Sequence, residues 1–120
     1  MAANDMEMIV YKILKYLYDC NKKGKVPTFS DMFQMLEVPS IPQSYLGQIL
    51  SELLDKGYIS GCSVTQTKNG IAFQIREEAA ITMDGVTYLH DNSVMKKLEK
   101  IAGKAFEIVL EATISAAMPR

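Results

Sequence analysis

The sequence predicts a mainly α chain with a small antiparallel β-wing, an α+β winged helix-turn-helix carrying an added C-terminal helix. Three stretches carry that expectation. Residues Thr28 to Tyr58 read as a short helix, a tight turn and a longer helix that closes at Gly57. Two β-rich runs follow, joined by Lys68-Asn69-Gly70, and Asn-Gly is the strongest short hairpin signal. A long, apolar-rich helical stretch then begins at Ser93 and reaches Ala117.

The first helix starts at Asn4 or Asp5, where Asn4-Asp-Met-Glu7 has capping-box spacing. Ile9, Val10, Ile13, Leu14 and Leu17 form one apolar stripe, and the breaker cluster Asn21-Lys-Lys-Gly24 stops the helix near Cys20. Thr28-Phe-Ser-Asp31 is the next capping signature. It opens a short helix with Phe29, Met32, Phe33 and Leu36 inward. Val38-Pro39 ends this helix, because the residue before a proline is pushed out of the helical region. Ser40 then caps a third helix, with Pro42 in its first turn and Gln43 closing the box. Leu46, Ile49, Leu50, Leu53 and Leu54 are its buried set. After the hairpin, Ala79-Ala-Ile81 adds a short final strand, Thr82 caps a short helix running to His90, and Ser93 caps the last helix.

Length and composition frame these elements as one domain. The winged helix-turn-helix spans residues 1–91, and residues 92–120 form a C-terminal helix packed on it as a dimerisation element. With 48% hydrophobic and 22% charged residues, the chain belongs to the ordinary folded class. Basic and acidic residues balance at 13 and 14, so no global field draws it onto nucleic acid. Cys20 and Cys62 lack metal-motif spacing and read as reduced structural thiols. The polar, acidic start is not a signal peptide, and no apolar run approaches the roughly 20 residues needed to span a bilayer. The expectation is a cytoplasmic protein with no membrane partner and no cofactor.

No catalytic constellation stands out, and an enzyme is not expected. The lone histidine, His90, sits at a helix end, where the dipole favours it. Glu77 and Glu78 are adjacent, so their side chains diverge as solvated charges.

The helix-turn-helix is the candidate functional unit, and duplex DNA is the expected partner. The second helix of such a unit lies in the major groove, and its solvent face here offers Gln43, Ser44, Tyr45, Gln48 and Ser51 as base contacts, with Gly47 allowing close approach. Lys68 and Asn69 at the wing tip are candidates for the minor groove. Lysine clusters at Lys22, Lys23 and Lys25 and at Lys96, Lys97 and Lys100 are candidates for phosphates. The aromatic residues Tyr11, Tyr16 and Tyr18 are of a type that stacks on bases, but on the first helix the favoured expectation is that they finish the core edge or a dimer contact. The last helix is apolar on two faces, which asks for a second copy of the chain. Ile101, Ala105, Phe106, Ile108, Val109 and Ala112 are the expected dimer interface. From Val26 to Thr67 one basic residue, Lys56, stands against Asp31, Glu37, Glu52 and Asp55, a local net charge of −3. That acidity motivates a competing expectation, a winged-helix module that docks a protein partner.

Ile81-Thr-Met-Asp-Gly-Val-Thr-Tyr-Leu89, directly after the wing, resembles the (I/L)-T-x-x-G-x-x-Y-L segment of many winged-helix bacterial regulators. Together with Gly57-Tyr58-Ile59 and His-Asp-Asn-Ser-Val-Met-Lys-Lys97, it resembles the YjcQ family of small bacterial and phage proteins over nearly the whole chain. The resemblance implies a winged-helix fold, a phage or prophage setting and a DNA-binding role, and it carries over no catalytic residues. PadR-like regulators are similar in architecture alone, through an extra helix after the wing for dimerisation.

Overall fold

A computed structural model describes residues 5–36, 41–68 and 70–117. Among them the chain order is α1 (Asp5–Lys23), α2 (Phe29–Leu36), α3 (Gln43–Asp55), β1 (Ile59–Thr67), β2 (Gly70–Ile81), α4 (Met83–Asp91) and α5 (Ser93–Ala117). This is the expected α+β winged-helix order, with two helices added after the wing.

Helix α1 is the axis of the core. Ile9, Ile13, Leu14 and Leu17 are buried as their spacing predicts, while Val10 is half-buried. Tyr11, Tyr16 and Cys20 are buried too, so these tyrosines are core residues rather than edge or dimer contacts. Helices α2, α4 and α5 and strand β2 all pack on α1. The Tyr11 ring lies 5.8 Å from that of Phe106 on α5. The Tyr16 hydroxyl accepts the Thr28 N–H at 3.0 Å and so pins the chain where α2 begins. Burial raises both phenol pKa values well above the ordinary one.

The helix ends follow one device. α1 runs through Asn21 and Lys22 to Lys23, past the expected stop near Cys20, because the left-handed residue that closes it is Gly24 at φ 70°. The Lys25 N–H donates to the Cys20 carbonyl at 2.9 Å and the Gly24 N–H to the Asn21 carbonyl at 3.4 Å, a Schellman closure. α3 repeats it at Gly57, φ 74°, with Tyr58 N–H donating to the Leu53 carbonyl and Gly57 N–H to that of Leu54, both at 3.0 Å. The starts are more varied. Thr28 caps α2 as expected, its hydroxyl accepting the Asp31 N–H at 3.2 Å. Ser40 lies outside the described residues, and Pro42 occupies the N-cap of α3 without a side-chain cap. The cap of α5 is Asn92 rather than Ser93. Its amide oxygen accepts the Val94 and Met95 N–H groups at 2.9 and 3.1 Å.

The hairpin is antiparallel, and its last described pair at the turn is Thr67 with Gly70. Ala79 to Ile81 form the end of β2, not a separate strand. The register jumps between Ser60, which faces Ala80, and Cys62, which faces Ile75. Gly61 stands at that bulge with φ 76°, and a Cβ there would lie 2.5 Å from the Ala79 Cα. Only glycine satisfies both constraints.

Beyond the wing the chain folds back onto the end of α3. Thr82 N–H donates to the Tyr58 carbonyl at 3.0 Å, and the Thr82 hydroxyl donates to the Gly57 carbonyl while accepting the Gly85 N–H at 3.0 Å. Gly85 is helical, yet a Cβ on it would lie 2.2 Å from the Tyr58 carbonyl oxygen. The Thr-x-x-Gly spacing therefore has a physical meaning: threonine caps α4 and ties it to the turn, and glycine lets the helix close on that turn. Tyr88 stacks on Tyr58 with ring centroids 4.6 Å apart, and Leu89 is buried. On the other side, the Asn21 side chain donates to the Ala79 carbonyl at 3.3 Å and accepts the Ile81 N–H at 3.0 Å. Asn21 is thus a tether for β2 rather than a helix breaker.

Helix α5 is two helical pieces joined at Gly103, whose φ of 66° and ψ of −163° lie outside the helical region. Met95 and Leu98 are buried before the break, and Phe106, Leu110 and Ile114 after it.

Two glycine variants separate close approach from backbone handedness. Gly57→Ala meets open space at positive φ and should cost about 1–2 kcal/mol. Gly85→Ala must displace a backbone carbonyl and should cost about 3 kcal/mol or more. Urea unfolding of the two variants beside the parent measures both, and an equal loss would contradict the close approach.

Candidate nucleic-acid interface

Helix α3 buries Leu46, Ile49, Leu50 and Leu53 and packs against β1 and β2. Leu54 is only half-buried, and Gly47 is buried, so Gly47 faces the interior instead of a groove. That orientation leaves Gln43, Ser44 and Gln48 exposed, with Ser51 half-buried at their border. Tyr45 is half-buried and packs on the core, which removes most of its ring from the outer face. Further along, Glu52 and Asp55 are exposed. The first turns of the outer face are therefore neutral and hydrogen-bonding, and the last turn is acidic.

Lys68 is exposed at the hairpin turn, and Asn69 lies outside the described residues. Behind the turn, Phe73 of β2 lies 4.9 Å from Phe29 of α2, which in turn lies 5.7 Å from Phe33. Phe29, expected inward, sits at the surface of this aromatic group.

The lysine clusters separate into distinct roles. Lys25, expected at phosphate, is buried at 8% exposure and donates to the Asp31 carboxylate at 3.0 Å and to the Val26 carbonyl at 3.1 Å. It is a structural ion pair. Lys23 is exposed and lies 3.6 Å from Glu111, and Lys22 lies over the Tyr18 ring at 5.1 Å. Lys96, Lys97 and Lys100 are exposed along the first piece of α5. That helix packs on α1, α2 and α4.

The expected dimer residues divide as well. Phe106 is buried within its own chain, with Lys12 5.4 Å above its ring, and is not available to a partner. Val109 is half-buried, whereas Ala105 and Ala112 are both exposed. Ile101 and Ile108 stand 61% and 64% exposed, large apolar side chains left in water.

Sequence reasoning missed a cleft between the start of α1 and the end of α3, walled by Tyr58 and Tyr88. Its only sequence signal was the pair of tyrosines, one after Gly57 and one in the Tyr-Leu of the wing-following segment. His90, edge-on to Tyr18 at 5.1 Å, is exposed. Among the described residues no group of three or more His, Cys, Asp or Glu is placed to hold a metal, and no helix is long and apolar enough to cross a membrane.

The helix order, the hairpin and the outward polar face of α3 define a winged-helix protein. The family model described as YjcQ protein matches residues 11–108, and the chain belongs to that family. No curated protein and no solved structure matches it.

The buried pair yields a stability test. Asp31→Asn leaves the Lys25 ammonium buried without its carboxylate and should cost about 2 kcal/mol, between the values for exposed and fully buried pairs. Replacing both partners, Lys25→Met with Asp31→Leu, removes the pair altogether and should cost less than about 1 kcal/mol in the same urea titration.

Proposed function

We propose that this chain is a DNA-binding winged-helix protein, a phage- or prophage-type transcriptional regulator that acts as a dimer in the cytoplasm and has no catalytic activity. The observation that carries this reading is the outer face of α3. Gln43, Ser44 and Gln48 are exposed together at the start of a helix whose opposite side is fully committed to the core. Glutamine pairs bidentately with adenine, and serine serves bases or phosphates. The acidic last turn repels phosphate, so α3 supplies discrimination and lysines on other elements supply the grip. Lys96, Lys97 and Lys100, with Lys22 and Lys68, are the phosphate contacts in this reading. The exposed Ile101 and Ile108, flanked by Ala105 and Ala112, form the dimer contact.

A protein-docking role is favoured by one observation, the exposed Glu52 and Asp55 at the end of α3. In that reading the same face meets a basic protein surface.

Fluorescence anisotropy on a mixed-sequence duplex tests the DNA reading. Binding is expected at about 50 mM salt and should weaken steeply by about 200 mM. Replacing Lys96, Lys97 and Lys100 by alanine should flatten the logarithmic salt slope by about 1 for each phosphate left unneutralised. Absence of binding at the lower salt overturns the reading and leaves protein docking. The dimer has its own measurement: light scattering at micromolar concentration should give twice the chain mass, and Ile108→Glu should give the chain mass. A monomeric parent protein refutes the dimer.

A further inference from the structure

The cleft under α3 has a chemistry that the DNA reading does not use. Its volume is about 140 Å³, and its walls include Val10 of α1 and Ile49 and Leu53 of α3. That is close to the roughly 150 Å³ cavity that admits one benzene ring, and well below the range that holds drug-sized ligands. A single ring or a compact branched group fills it.

Two tyrosines close one side. Tyr58 and Tyr88 stack with their rings inclined by only 20° and stand between this cleft and a second, more open depression that both also line. Around the tyrosine pair the charges are one-sided. Glu7 and Glu52 line the apolar cleft, Asp84 and Asp91 line the depression, and Lys56 is the single cation among the described residues that line either. Burial, Tyr58 and Glu7, in that order, raise the pKa of Tyr88, so the hydroxyl stays neutral and Glu7 lies within electrostatic reach of it.

An apolar hole the size of one ring, tyrosine walls and an excess of carboxylates select one ligand class. The face that each ring of a stacked pair leaves free attracts cations through the ring quadrupole, the carboxylates add Coulomb attraction, and the aliphatic floor takes an apolar body. We propose that the Tyr58–Tyr88 cleft is a binding site for a small organic cation, an aromatic or branched amine or quaternary ammonium, seated between α1 and the last two turns of α3. Tyr58 and Tyr88 contact the ligand body, and Glu7 and Glu52 balance its charge. Nothing in this site depends on DNA, so it stands or falls separately from the groove contact.

Calorimetric titration of the full chain without DNA decides it, with benzyltrimethylammonium, benzyl alcohol and benzoate as probes of one ring and three charges. The ammonium should bind saturably with a Kd of about 1 mM, as expected for a ligand of this size, and benzoate should not bind. Replacing Glu7 and Glu52 together by glutamine should weaken the ammonium roughly tenfold while the unfolding midpoint stays near that of the parent, since an exposed and a half-buried charge are removed. Tyr88→Leu, which keeps the apolar wall but loses the ring, should weaken it as well. The proposal is overturned if the ammonium binds no better than benzyl alcohol, or if the double glutamine variant keeps the parent affinity.

Discussion

The turn at Gly57 and Tyr58 is the point on which the other elements converge. Gly57 ends α3 with a left-handed residue, and its carbonyl receives the Thr82 hydroxyl. The Tyr58 carbonyl receives the Thr82 N–H, and it is the atom that Gly85 approaches too closely to bear a side chain. One turn of backbone thereby fixes the end of the proposed reading helix, the start of β1, the end of β2 and the start of α4. Asn21 holds the same end of β2 to α1 through two hydrogen bonds. The orientation of α3 relative to the core is set here, and any surface that α3 presents inherits its rigidity from this junction.

That junction also lies beside two chemically different parts of one helix. The outer face of α3 carries Gln43, Ser44 and Gln48, while its last turns pass over the tyrosine-lined cleft with Ile49, Glu52 and Leu53. A neutral polar start and an acidic end suit different chemistry: hydrogen bonding to base edges at one, attraction for cations at the other. The same acidity that weighs against phosphate at the end of α3 favours a cation in the proposed cleft site.

What the sequence made legible was whatever is local along the chain. The caps at Thr28 and Thr82 were readable because a side chain there meets an amide three residues on. The hairpin was readable from Asn69-Gly70, and the outward Gln43, Ser44 and Gln48 from helical spacing. What was not legible depends on partners distant in sequence. Asn21 looked like a helix breaker because its partners are 58 and 60 residues away. Lys25 looked like a phosphate contact because only the folded loop brings its ammonium beside Asp31 and over Tyr16. Phe106 looked available to a second copy because periodicity does not show that Gly103 breaks α5, nor that Phe106 packs against Tyr11 in the same chain. The tyrosine cleft joins residues from three helices and the turn after α3, and no spacing rule unites them.

In the proposed reading the start of α3 meets DNA while lysines elsewhere hold the backbone. Backbone amide NMR of the labelled chain titrated with duplex at low salt tests it most directly. Amide signals of Gln43, Ser44 and Gln48 are expected to shift together with those near Lys96, Lys97 and Lys100. Shifts confined to the lysines, with the start of α3 unmoved, would contradict it.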